Sequence, residues 1–256
     1  MIRHLSNRNA ASLGQLDWIF QDLAGRVMSR LDYIKLDPAR IVDCGSGRGI
    51  DRDLLAKKFP EAQLIELDLA LETLKLRQEP IQGILSKLFK KSTAPTLLCA
   101  DANHLPLANA SIDFAYANLL LPYISDIPAF IRELRRVLNI GGAFCVSGLG
   151  VDSFKELRAL GLSSYRFPDM HDIGDMCIDV GFSNPVVDTE YITLDYEDLA
   201  MLLDEVKLIA HGAANAVSLR QKLTKSQAIE LRKLYKLPHK LTLEIFVAHG
   251  WKDRSE

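Results

Sequence analysis

The chain has little cysteine and almost no net charge, and each shortage removes a class of function. Four cysteines (Cys44, Cys99, Cys145, Cys177) stand in 256 residues without a C-x-x-C pair, so their spacing supports neither a zinc ribbon nor a disulfide framework. Three of them lie inside apolar strand or helix patterns, where a reduced thiol is normally buried. His104, His171, His211 and His249 form no H-E-x-x-H or H-x-x-x-H, so no metal site is expected. No G-x-S-x-G elbow or Cys-His pairing marks nucleophilic catalysis. Lys and Arg number 31 against 33 Asp and Glu, a formal charge of −2, which gives no basic field for nucleic acid or an anionic bilayer. No apolar run approaches the roughly 18 residues of a membrane span, and Met1-Ile2-Arg3-His4 lacks a signal-peptide core. A cytoplasmic, disulfide-free chain that binds no nucleic acid and spans no membrane is expected.

What is present is alternation. With 48% apolar residues the chain can bury a large core. Leu16, Ile19, Phe20, Leu23, Val27 and Leu31 recur at helical spacing over Gln15 to Leu31. Apolar strand segments follow at 40–44, 63–67, 96–100, 112–117 and 143–147, with helical patterns at 50–59, from Leu71 through Phe89, and from Pro128 to Leu138. Asn139-Ile140-Gly141-Gly142 is expected to turn the chain into the fifth strand, with Arg132, Arg135 and Arg136 as a solvated face. Later come a helix at about 170–180, a strand from Val186 to Leu194, helices at about 197–212 and 225–236, and a last strand at about 241–248. This is the signature of an α/β fold, a Rossmann-like doubly wound seven-stranded mostly parallel sheet. From the order of elements, a helical lid at about 196–236 is expected before the last strand. Residues 1–150 are expected to form an N-terminal helix and the first, Rossmann-like half, and 151–256 the C-terminal half of the same domain.

The first strand ends in the most informative segment, Asp43-Cys44-Gly45-Ser46-Gly47-Arg48-Gly49. Glycine at every second position allows positive φ and close approach of backbone to a ligand. The second strand ends in Asp68, about 20 residues on, the spacing at which an open α/β sheet offers a carboxylate to a ribose diol. A nucleoside-containing cofactor fits this pairing. The dinucleotide fingerprint G-x-G-x-x-G is not met, because Ile50 stands where the third glycine belongs. Asp43 and Asp51 flank the loop, where acidic groups repel a pyrophosphate and suit a cationic or zwitterionic ligand. NAD binding and a purely structural turn remain the other readings. Asn118 ends the fourth strand at the carboxyl edge of the sheet, where such folds bind ligands.

The pattern Asp-x-Gly-x-Gly-x-Gly with an acid after the second strand resembles motif I of class I S-adenosylmethionine (SAM) methyltransferases. The resemblance implies SAM as cofactor, held by Asp43, Gly45, Gly47, Gly49, Asp68, Leu69 and Asn118, with Asp101 and Ala102 at the adenine. A turn aspartate before Leu105-Pro106 is the alternative for Asp101. The Asp/Asn-Pro-Pro-Tyr signature of amide and adenine N-methylation is absent. Further segments, Phe167 to Asp175, Gly181 to Asp188, Tyr191 to Tyr196, Leu202 to Ala216 and His249-Gly250-Trp251, resemble the malonyl-acyl-carrier-protein O-methyltransferases of biotin synthesis. That resemblance implies a malonyl thioester on acyl-carrier protein, or a similar carboxylate, as substrate and partner. The alternative it carries is a divergent non-catalytic or hydroxylase-like member acting as a complex I assembly or binding protein. Two tyrosines usual in that family are replaced, by Leu13 after Ala11-Ser12 and by Leu243 within Thr242-Leu243-Glu244. A malonyl carboxylate is ionised at neutral pH and needs no general base. It does need a cationic clamp, for which Arg220 and Arg158 are candidates beside ordinary surface roles. Tyr123 is the candidate to compensate for the missing hydroxyls.

Overall fold

The computed structural model describes residues 16–75, 94–159, 166–209 and 239–253. Seven strands form one sheet: β1 (Arg40–Cys44), β2 (Gln63–Asp68), β3 (Thr96–Cys99), β4 (Ile112–Ala117), β5 (Leu138–Leu149), β6 (Ser183–Tyr196) and β7 (His239–Trp251), in the order β3-β2-β1-β4-β5-β7-β6. β1 pairs in parallel with β2 and β4, and β4 with β5, whereas β7 runs antiparallel to both β5 and β6. Ile41 to Cys44 and Phe114 to Ala117 are buried without alternation, because helices cover both faces of these central strands. At the edge, β6 alternates between half-buried and exposed positions over most of its length, as a strand with one wet face should.

The helices are set by local signals. α1 (Asp17–Arg30) buries Ile19, Leu23 and Val27 along one stripe. Two short helices flank β2, α2 (Arg52–Lys58) and α3 (Leu71–Lys75). α4 (Ile127–Val137) is capped by Asp126, whose side chain accepts from Ala129 N, and buries Phe130, Ile131, Leu134 and Val137. After α5 (Lys155–Ala159), α6 (Met170–Val180) is capped by Asp169 and stopped by Gly181 at φ 91°, a left-handed angle that glycine takes without a Cβ penalty. α7 (Leu199–Ile209) packs Leu202 and Val206 with Ile19 and Leu23 of α1 and Leu241, Leu243 and Ile245 of β7.

Several expectations need correction. No turn separates α4 from the fifth strand: β5 starts at Leu138, and Gly141 N and Gly142 O bond to the O and N of Lys252. The glycines instead lengthen the sheet by pairing with the chain beyond β7. The sixth and seventh strands are longer than the expected 186–194 and 241–248, running 183–196 and 239–251, since their mutual pairing continues past the apolar runs. The first helix of the expected lid spans Leu199–Ile209 rather than 197–212; the second, at 225–236, lies outside the described residues, as does the chain from 76 to 89. No helix among the described residues is long and apolar enough to cross a membrane.

Candidate cofactor and acceptor site

Four loops meet along the carboxyl edges of β3, β2, β1 and β4, which are consecutive in the sheet. The chain direction of the winding reverses between β1 and β4, the place where open α/β sheets form a ligand crevice.

The loop after β1 turns through Gly45, Gly47 and Gly49 at φ 74°, 50° and 78°. At Gly45 the requirement is double, because a Cβ there would stand 2.6 Å from Leu120 Cδ1. Gly45 N and Ser46 N both donate to Leu67 O, at 2.7 and 3.0 Å. Asp68 completes the fastening: its Oδ2 accepts from Gly47 N at 2.9 Å and its Oδ1 from Ala70 N at 2.7 Å. The carboxylate expected at the ribose thus also holds the glycine loop, and two oxygens with about four lone-pair sites can do both. Leu69 follows, and its carbonyl lies 3.7 Å from Cys99 Sγ. Asp101 occupies an exposed turn in which Oδ1 accepts from Asn103 N and Nδ2 at 2.9 and 3.0 Å, and Ala102 beside it is buried.

Behind the loop lies a polar relay. Asp43 and Asp51 are both buried. Asp51 Oδ1 accepts from Tyr116 Oη at 2.7 Å and from Asn118 Nδ2 at 3.1 Å. Asn118 Oδ1 accepts from Ser147 Oγ at 2.6 Å, and Ser147 Oγ accepts from Leu119 N at 2.8 Å. The relay ends on a strained residue, for Leu119 has φ 53° without being glycine, a conformation that persists only when its surroundings enforce it. Burial raises the Asp51 carboxyl to about 6 against its Tyr116 and Asn118 hydrogen bonds. Burial also pushes the Cys44 thiol far up, which makes it inert as a nucleophile. Glu66, fully buried, is paired by Arg52 at 2.7 Å.

The remaining candidates have definite places. Tyr123 Oη donates to Ile209 O at 2.7 Å, tying the β4 edge to the end of α7. Arg158 donates to Val151 O at 2.6 Å and to Ser153 O, inside its own loop. Arg220 and Leu13 lie outside the described residues. Arg136, expected as a solvated cation, instead holds the loop beyond Ala102: its guanidinium donates to Leu107 O, Asn109 Oδ1 and Leu105 O and pairs with Glu133. The bond from Arg136 holds the Glu133 carboxyl below its ordinary range. Tyr116 and Ser147 were not anticipated. The available signal was a phenol inside a largely apolar strand, which needs a polar partner when buried.

A family profile for a methyltransferase domain matches residues 42–146, the stretch from β1 to β5. A malonyl-acyl-carrier-protein O-methyltransferase of Gallionella capsiferriformans is 42% identical over 91% of this chain and 83% of its own length. Another of the same name, from Laribacter hongkongensis, is 36% identical over 98% of this chain and 88% of its own. The chain belongs to this methyltransferase family. A crystal structure of a Haemonchus contortus phosphoethanolamine N-methyltransferase, complexed with S-adenosylhomocysteine, covers 99% of this chain with 60% of its own, at a TM-score of 0.61 and 17% identity. That likeness carries the fold alone. The profile's span covers Asp43, the glycine loop, Asp68, Asp101 and Asn118.

Proposed function

We propose that this chain transfers the methyl group of SAM to the free carboxylate of a malonyl thioester carried on acyl-carrier protein, a step of biotin synthesis. SAM supplies a methyl group on a cationic sulfur. The residues fit such a ligand: the loop presents backbone without Cβ atoms, and its surroundings are acidic through Asp43, Asp51 and Asp68. The one cation within the loop, Arg48, pairs with Asp17 of α1 at 3.4 Å. Asp68 takes the ribose hydroxyls, Asp101 and the Ala102 amide take the adenine, and Asp43 with the glycine loop lies at the methionine part, while Leu69 and Asn118 wall the crevice. Residues 1–150 hold the donor, and the half from 151 onward closes the acceptor side.

The observation that carries this reading is the fastening of the glycine loop by Asp68, which joins the two halves of a nucleoside site. The acceptor follows from family membership and from the chemistry at the β4 edge. There Asn118 and Tyr123 have their polar atoms committed to Asp51, Ser147 and Ile209, so neither is poised as a general base. A carboxylate ionised at neutral pH requires none; alignment and exclusion of water suffice. The test is incubation with SAM and malonyl-acyl-carrier protein, with mass spectrometry of the carrier. Formation of the methyl ester, and restored growth without biotin in a strain lacking this activity, support the reading. A non-catalytic member fails both.

A further inference from the structure

The methyl donor ends in an α-amino acid whose carboxylate is an anion at neutral pH. The glycine loop offers that anion little. Asp43 and Asp51 flank it, and Asp68 fastens it. Its backbone donors are already engaged: Gly45 N and Ser46 N donate to Leu67 O, Gly47 N to Asp68 Oδ2 and Gly49 N to Ser46 O. A carboxylate set among these groups would lose water without gaining a donor, which is strongly unfavourable. A cation must come from a side chain. Two arginines stand close in sequence, and they are held very differently. Arg52 is locked, because its Nε and Nη2 both donate to Glu66 Oε2, at 3.0 and 2.7 Å, and that carboxylate is fully buried. Arg48, between Gly47 and Gly49, pairs with Asp17 in the first turn of α1 at 3.4 Å, and both side chains are 31% exposed. An ion pair that long and that accessible to water holds weakly and exchanges readily.

We propose, on the reading of SAM as the donor, that Arg48 exchanges Asp17 for the α-carboxylate of the methionine part and so selects adenosyl ligands that carry this group. A guanidinium can meet a carboxylate through two parallel N–H donors, a stronger geometry than a 3.4 Å approach to Asp17. The exchange leaves no cation stranded, since Arg48 passes from one carboxylate to another. Asp17 remains in the first turn of a 14-residue helix, where the helix dipole favours an anion. The donor's ammonium keeps to the acidic flank at Asp43. Ligands without the carboxylate lose the Arg48 contact alone and retain those to Asp68 and Asp101.

The experiment is calorimetric titration of the full chain with two ligands, S-adenosylhomocysteine and its decarboxylated analogue, in which hydrogen replaces the α-carboxylate. The parent should bind the first about 10-fold or more tightly than the second, the scale of one charge-assisted hydrogen bond. Arg48→Gln keeps a donor without the charge and should bring that ratio to about threefold or less, by weakening the first ligand alone. Asp17→Asn removes the competing carboxylate and should hold the ratio at or above the parent's. A parent ratio no larger than that set for Arg48→Gln overturns the proposal without any variant. So does a ratio that stays above it in Arg48→Gln, or one that falls below the parent's in Asp17→Asn. A parent that binds neither ligand overturns SAM as the donor, a result distinct from all of these.

Discussion

Tyr116 donates its phenolic hydrogen to Asp51 Oδ1 at 2.7 Å, which joins the interior of β4 to the residue that opens α2 directly after the glycine loop. Both groups are buried, and burial raises the carboxyl from 3.8 to about 6. A raised folded pKa means that the fold favours the neutral acid. Its contribution to stability is complete below the unfolded value and is lost as pH rises through about 6. That interval is worth on the order of 3 kcal/mol. Asp51→Asn should remove this dependence, so the difference in Tm between parent and variant should change between pH 4 and 7 and level off above. Thermal denaturation across that range checks it, and a constant difference contradicts it. Glu66 also raises the Asp51 carboxyl, so Arg52, which pairs Glu66, should be left intact in both proteins.

Tyr116→Phe keeps the ring in the core and deletes the hydroxyl. Asp51 then has Asn118 as the partner of the same oxygen, and the loss is expected to cost about 1–3 kcal/mol, the range for a buried acceptor deprived of a donor. Chemical denaturation with an unchanged m-value measures it.

Gly45→Ala combines two penalties. The left-handed φ of 74° costs an alanine about 1–2 kcal/mol, and its Cβ would press on Leu120 Cδ1 at 2.6 Å. Leu120 must move, and Leu119 beside it is already at a positive φ. Binding of S-adenosylhomocysteine should weaken at least 10-fold, read by calorimetry, with a fall in Tm. Equal affinity in the variant would place the ligand elsewhere.

Asp68→Ala leaves Gly47 N and Ala70 N without their acceptor and removes the proposed ribose contact. Affinity for S-adenosylhomocysteine should fall by about 1.5–3 kcal/mol. Asp68→Asn retains a single oxygen acceptor and should recover part of the loss, whereas Asp101→Ala, whose carboxylate is exposed in its turn, should cost less than Asp68→Ala.

Arg136→Ala should free the loop at 105–109 and lower stability by about 1–3 kcal/mol, because carbonyls of Leu105 and Leu107 lose a donor together. Arg136→Lys should not restore it, since an ammonium cannot span acceptors that a planar fork reaches at once.

Much of this was legible in the sequence where the signal is local. β4 was expected at 112–117 and spans Ile112–Ala117, because an apolar-rich run, interrupted by Asp113, lies between Ser111 and Asn118. β2 was expected at 63–67 from its apolar run, with Asp68 at its end, and spans Gln63–Asp68. The failures are nonlocal. Asn139 to Gly142 has turn composition, yet Lys252, more than a hundred residues away, supplies the pairing that keeps it in the sheet. Arg136 follows helical spacing onto an outer face, yet the loop from Leu105 to Asn109 returns over it. Tyr116 looks like core in an apolar strand, and only the fold shows that Asp51 waits opposite its hydroxyl. The acidic flanks of the loop were visible as charge. Their coupling through Asn118 and Ser147 to the backbone of Leu119 was not, because each link joins a different strand end.

The most direct test of the central claim is methyl transfer from isotopically labelled SAM to malonyl-acyl-carrier protein by the purified chain. Label recovered as a carrier-bound methyl ester, dependent on the free malonyl carboxylate and lost in Asp68→Ala at limiting SAM, is the predicted result. A carrier that stays unlabelled while the chain binds S-adenosylhomocysteine tightly would contradict it.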